Sequence, residues 1–551
     1  MKKLTVTLIL TACIIILAQA QNFRTIPDLG GVSTVMAGYP FNMSYGYSRT
    51  ATIYNKADIG GSGNIYKIAV VANAEITETL IPIVIKFKYS STAAWGGTGS
   101  YAALSTGATT VYSGGYHFTS GVNYITLQTP FNFSFNVNHL IVFFELNYGG
   151  TGSTSPISFV NKPIDSNVDY LTHFWSSNNT APTTDGMLID YQPMILLYFD
   201  APEKPFSMTS EPDCNGNNIS WQKNTANDMV IVVSKMGSSV VNGPQCFGNY
   251  TEGDSLGFGS YVVYEGSATA AEHTPVAQGQ LFNYKAWSFN SNKVFSELDI
   301  SSSVLSAYDQ PYLQYFDGGV GLPLGWVGSM TVIPDHGATD QGLSAQLQIP
   351  NVEKSVSTPV FCNIGSNTIL EFAYRLVNIT GYPSTATPTS EMDSITVSVS
   401  TDNGHNYTKV YYITPGNHIA TTAFATKQIS LSTYSGDGVK IKFRCKRGTG
   451  EYFVDFDDVK IHDATGIETS EENVLKIYPN PASSEIFITI PDGVTGKNLC
   501  SVYNLSGMLC QSVVFQGNGY ERLDVSALQA GIYCIMVTNS QSTYHTKFFK
   551  F

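Results

Sequence analysis

The 551-residue chain is short of charge, with Asp, Glu, Lys and Arg together only 13% of it. It has no CxxC pair, so a zinc knuckle has no ligands. It has no HExxH and no GxSxG, which removes the zincin site and the nucleophile elbow. There is no phosphate-binding loop, and the nine histidines are scattered without partners at metal-ligand spacing. His117, His173 and His336 read as satisfied surface or turn residues. Past the first 17 residues there is no long apolar run. A net charge of −13 opposes nucleic-acid binding, which needs a basic face.

What the chain does contain is aromatics at 12%, 33 of them Tyr, and 49 Gly among many Ser, Thr and Asn. Few charges, many β-branched and aromatic residues and frequent turn formers predict an all-β protein. At this length it should divide into about three or four units. The first residues, Met1-Lys2-Lys3, then the apolar Leu4 to Leu17, then Ala18-Gln19-Ala20, predict a signal peptide over 1–20. Leu10-Thr11-Ala12-Cys13 is a rival, a lipoprotein box that would leave Cys13 lipidated, although the apolar run continues past it.

The tail is the most specific region. Lys476-Ile477-Tyr478-Pro479-Asn480-Pro481 follows a polar stretch, Glu468 to Asn473, and precedes β-rich segments ending in Lys547-Phe548-Phe549-Lys550-Phe551. Residues 476–551, with Tyr478, Pro479, Asn480 and Pro481 as the sorting motif, resemble the type A C-terminal sorting domain of the type IX secretion system of Bacteroidetes. The resemblance implies engagement with that secretion machinery, an outer-surface or extracellular location, and cutting within the linker 464–475 or close to it.

Between the ends, residues 21–200 alternate short apolar runs with Gly/Ser/Thr turns and predict an N-terminal β-sandwich module. It resembles a module of unknown role in surface proteins of the same bacteria. Ala201-Pro202-Glu203-Lys204-Pro205 is a stiff linker. In residues 203–305, Ile219-Ser220-Trp221 and Tyr284 to Phe289 resemble the early and late strands of a fibronectin type III domain. Strand parity puts Tyr284 on one face and Trp287 on the other. Residues 310–463 open with Gln314 to Gly318 and Gly321 to Trp326, and close with Tyr452 to Ile461. They resemble the cleaved-adhesin or MAM-like jelly roll, with Tyr407 where that family often has Trp. The predicted fold class is therefore tandem β-sandwiches, jelly-roll and immunoglobulin-like, ending in a β-sandwich sorting domain.

Three site expectations follow. Export favours disulfides, with Cys214 pairing Cys246, Cys362 pairing Cys445, and one of Cys500, Cys510 and Cys534 left over. Asp317 opens the jelly-roll-like unit and Asp455, Asp457 and Asp458 close it; the resemblance implies structural calcium there, bound with backbone carbonyls. Parity places Asp455 and Asp457 on one face and Asp458 on the other. Finally, Trp95 and Trp175 are expected near loops, where flat rings stack on sugars. The reading is a non-catalytic adhesion or binding protein for an extracellular protein or glycan. Its rivals are a carbohydrate-binding accessory of secreted hydrolases and a hydrolase with its site in 21–200.

Overall fold

The computed structural model describes residues 22–27, 33–136, 138–164, 170–434, 438–464, 475–490, 497–504, 507–516, 519–538 and 543–551. The expected signal segment with Cys13 and linker residues 465–474 lie outside the described residues. The fold is nearly all β, 53% strand against 3% helix, and the sheets stack as tandem β-sandwiches.

The first sandwich faces a seven-stranded sheet, built around Gly63–Ala72, against a six-stranded one containing Tyr47–Tyr54 and His139–Asn147. The strand Ile81–Ser90 shows why: Ile81, Ile83, Ile85 and Phe87 point into the core while Lys86 and Lys88 point away. Period-two patterning of this kind buries one face, at about 1.5–3 kcal/mol per large apolar side chain.

The second sandwich pairs a three-stranded sheet, starting at Phe206–Pro212, with a five-stranded sheet centred on Met229–Met236. Trp221 and Tyr284 share its core. Trp287 lies on the opposite face of its strand, in a separate apolar cluster with Val240, Phe289 and Phe295. Its cover comes from the connection after Met236, which lays Val240 and Tyr250 over the sheet, with Leu256 joining them from the edge strand Ser255–Gly257.

That same connection docks the second sandwich on the first. Cys246 and Val294 complete the core of the first sandwich, and Phe247 packs beside them. The Phe247 ring meets Phe199 edge-on at 4.8 Å. A Cβ on Gly61 would stand 2.2 Å from that ring, so only glycine leaves the slot open. Phe247 adopts φ 65° to reach it, an uncommon backbone state for a bulky residue.

The second and third sandwiches are joined differently. Cys214 and Cys362 form a disulfide, with Cα atoms 5.5 Å apart, an ordinary span for one. Asn403 Nδ2 donates to Pro212 O (3.0 Å) and His405 Nε2 lies 3.2 Å from Glu211 beside it. The expected pairings are therefore corrected. Cys362 sits on the two-residue strand Phe361–Cys362 and packs with Ala307, Val360 and Cys214. Cys445 points into the third core instead, and Cys246 into the first, both as thiols. Burial pushes both thiols up, which keeps them unreactive. Cys500, Cys510 and Cys534 are thiols too.

In the third sandwich the opening strand Tyr312–Gln314 pairs antiparallel with the closing strand Tyr452–Asp463. The closing strand lies within a six-stranded sheet beside Thr368–Asn378, and a five-stranded sheet faces it. The fourth sandwich, over the tail, sets a three-stranded sheet beginning at Lys476–Tyr478 beside a four-stranded sheet ending at Thr543–Lys550.

Candidate functional site

The acidic residues of the third sandwich meet where its first and last strands pair. Core positions on the closing strand run Tyr452, Val454 and Phe456, then skip to Val459 and Ile461. The skip is a bulge, where the pairing with Thr368–Asn378 shifts register and Asp458 takes φ 51°. A bulge adds one residue and inverts the parity beyond it. Asp457 and Asp458 therefore both stay off the core, and Asp458 does not take the opposite face expected from a regular strand.

Asp455 is fully buried, yet it is tied elsewhere. Arg375 Nε donates to it at 3.0 Å, Ser344 Oγ at 2.8 Å and Tyr382 OH at 3.2 Å. His336 Nδ1 lies 2.8 Å from Asp455 Oδ1, the same oxygen that accepts from Ser344. His336 is buried rather than exposed, stacked on the Tyr382 ring at 4.2 Å. A buried carboxylate with a guanidinium partner and further donors is a satisfied ion pair. Ser344, His336 and Asp455 are no nucleophilic triad, because the serine hydroxyl goes to the carboxylate and not to the imidazole.

Asp457 is different. Its oxygens accept from Ala338 N (2.7 Å) and Asp458 N (2.7 Å), and among the described residues no cationic side chain is bonded to it. Burial raises its pKa above the usual carboxylate range, and the charges of Asp458 and Asp317 push in the same direction. Asp317 Oδ1 accepts from Gln341 N at 3.2 Å, which brings it to the same loop. Asp458 leans toward Lys460, 4.0 Å away. The Gln341 side-chain amide satisfies the carbonyls of Phe316 and Gly319, its nitrogen donating to them at 3.3 and 2.8 Å. Of the four acidic residues, Asp317, Asp457 and Asp458 thus lie close enough to repel, while Asp455 is diverted to Arg375. Among the described residues no group of three or more His, Cys, Asp or Glu has metal-holding geometry. A cation here would have to rely on the Asp317 and Asp457 carboxylates with backbone carbonyls of the loop, a donor set of the hard-oxygen type that calcium takes.

Sequence reasoning missed Gln341, Ala338 and the Arg375–Asp455 pair. A signal existed for the last: Arg375 is the one cation within the apolar run Leu370 to Val377, and a charge there demands a buried partner.

The aromatic expectation in the first sandwich fails for Trp175, which is 2% exposed. Its indole donates to Gly99 O at 3.0 Å and its ring meets Tyr101 edge-on. Tyr101 belongs to a one-turn helix, Tyr101–Ser105, that covers this face of the sheet. Trp95 donates to Leu171 O and packs against His173, which is itself buried. These rings build a second small core, not a platform.

In the tail, Tyr478 stacks on Phe487 at 5.5 Å. Asn480 faces the last strand: its Nδ2 donates to Lys547 O (3.0 Å) and its Oδ1 accepts from Phe549 N (2.9 Å).

Compared with known proteins, residues 476–550 match the secretion system C-terminal sorting domain family. The match marks the chain for export by type IX secretion, to the cell surface or the extracellular space. No curated protein sequence matches. Among solved structures, a β-1,2-glucanase from Parabacteroides distasonis is similar at 14% identity and TM-score 0.21, covering 44% of this chain and 39% of that one. The Endo-D glycoside hydrolase domain from Streptococcus pneumoniae R6 is similar at 12% identity and TM-score 0.18, covering 41% and 37%. The CBM51-2 and INT domains of Clostridium perfringens ZmpB are similar at 8% identity and TM-score 0.15, covering 50% and 90%. The chain spans less than half the length of the first two. Likeness this low carries no statement about activity.

Proposed function

We propose that this protein is a non-catalytic adhesion or binding protein, delivered to the outer surface or the medium by type IX secretion. The observation that carries the reading is a sorting domain behind three sandwiches whose junctions are locked, one by a ring in a slot and one by a disulfide. Such a chain holds its N-terminal sandwich at a fixed attitude, which suits presentation of a surface to an extracellular protein or glycan. We read the second sandwich as fibronectin type III-like, supported by Trp221 and Tyr284 in one core. We read the third as cleaved-adhesin or MAM-like, supported by the pairing of its first and last strands.

Two experiments test the delivery and the role. Deleting 476–551 should trap the chain in the periplasm, and surface display of the truncated protein would refute the delivery. The tail-less chain, immobilised and offered matrix proteins and a glycan array, should retain a ligand without turning it over. Release of a product from any glycan would overturn the non-catalytic reading.

We further propose calcium as a structural ion at the third sandwich, held by Asp317 and Asp457 with backbone carbonyls of the adjoining loop. The support is the approach to the buried Asp457 of Asp317 and Asp458, whose charges push its raised pKa further up. A bound cation would neutralise that repulsion and fasten the opening strand to the closing one.

A further inference from the structure

We infer that Asn480 is a positioning residue whose side chain replaces one residue of a β-ladder and so fixes the register of the last strand. Thr543–Lys550 is an edge strand; one side pairs with Gly531–Thr538. Its other side would present free N–H and C=O groups, the usual liability of an edge. Instead, the segment from Leu475 to Ala482 runs alongside it. Leu475 N donates to His545 O at 3.2 Å. Ala482 N donates to Phe549 O (2.7 Å) and Ala482 O accepts from Phe551 N (2.9 Å), a parallel bridge opposite Lys550.

In a parallel ladder one residue spans the flanking pair of its partner, bonding the carbonyl before it and the amide after it. Ala482 does this around Lys550 with its backbone. Two residues earlier, Asn480 does it around Phe548, donating to Lys547 O and accepting from Phe549 N, but with its side-chain amide. The two steps are in register. The neighbours explain why a side chain is used. Pro479 and Pro481 carry no N–H, so this stretch cannot supply a regular run of backbone donors. Among short side chains only asparagine offers a donor and an acceptor together at this reach; aspartate lacks the donor and glutamine is one methylene longer. The residue clamped between the two bonds is Phe548, which is fully buried in the tail core. The sorting motif thus closes the sandwich that carries it.

The test is hydrogen–deuterium exchange on the full-length chain, read by peptide mass spectrometry over 543–551, alongside the exported fraction in type IX-proficient cells. In Asn480→Ala the Phe549 amide should exchange about tenfold faster, the opening expected when one or two hydrogen bonds are lost. Gly531–Thr538 should stay as in wild type. Asn480→Asp keeps an acceptor for Phe549 N, so that amide should stay largely protected. Unchanged Phe549 exchange in Asn480→Ala would overturn the inference. If that variant unfolds the whole tail, protection of Phe549 in Asn480→Asp decides it, and loss of protection there overturns it. The second readout rests on the type IX reading: Asn480→Ala should export several-fold less. Undiminished export of a tail with a loosened last strand would end the claim that this positioning serves sorting. Export of the wild-type chain from cells lacking the type IX system would instead refute the delivery reading and leave the exchange result standing.

Discussion

The two internal junctions solve the same problem with different chemistry. Between the first and second sandwiches the joint is apolar: Phe247 enters a slot beside Gly61, and Cys246 and Val294 finish a core begun by the neighbour. Between the second and third it is covalent, Cys214 to Cys362, with polar contacts from Asn403 and His405 around it. An apolar joint depends on water and is indifferent to redox conditions. A disulfide depends on the oxidising environment met after export. The first joint can form wherever the chain folds; the second becomes permanent only outside the cytoplasm.

The largest expected effect is at the covalent joint. The disulfide closes a loop with a sequence separation of 148 residues, for which the chain-entropy model gives about 4–5 kcal/mol. Cys214→Ser, or reductant on the wild type, should lower the melting of the second and third sandwiches by that order, measured by calorimetry, and leave the first sandwich in place. Equal destabilisation of all three would mean the joints are not independent.

Next comes the apolar joint. Phe247→Ala removes a ring from a packed site at about 3 kcal/mol, the low end for such truncations because the ring is only partly buried. Gly61→Val should do the same from the other side by filling the slot. Both variants should expose the 61–63 and 245–248 amides to exchange, and neither should alter the sensitivity to reductant. A shift in reductant sensitivity would break the distinction between the joints.

The smallest effect lies at neither joint and serves as their control. Asp457 has a raised folded-state pKa. Its ionisation therefore costs native stability as pH rises from the unfolded to the folded value, and the cost persists above that. In metal-free protein Asp457→Asn should be the more stable form at neutral pH, with the gap closing on acidification through the folded value. Calcium should reverse the order, because wild type gains about 2.7 kcal/mol at a hundredfold excess over Kd while the variant gains little. Identical melting of the two with calcium and with chelator would dismiss the ion. Neither junction should respond to the chelator.

Much of the architecture was legible in the chain. Alternation in Ile81 to Phe87 and the parity of Tyr284 and Trp287 are local properties, written in the period of a strand. The sorting tail was legible because its motif and its strands lie together in sequence. The disulfide was not, since Cys214 and Cys362 become neighbours only when two sandwiches dock, and no spacing rule encodes docking. The side of Asp458 was misjudged for a similar reason: a bulge is set by the pairing with Thr368–Asn378, not by the strand's own residues. Trp175 shows a third limit. An aromatic near a loop can be a platform or a small core, and here a helix of one turn, Tyr101–Ser105, decides it.

The Cys214–Cys362 bond also has a mechanical meaning. Suppose the chain is pulled between its two ends, as a tether between a cell and a surface would be. Tension arriving at Cys214 crosses the sulfur bridge directly to Cys362. The intervening segment, 148 residues in sequence separation, is taken out of the force path. Fully extended, a segment of that size would run to about 500 Å. While the bridge is oxidised, that slack cannot be released, however hard the tether is pulled. Once it is reduced, the second sandwich and the start of the third can unravel in turn. The bond therefore shortens the greatest length the tether can reach by the extent of that segment, and the redox state of the surroundings decides whether that length is available.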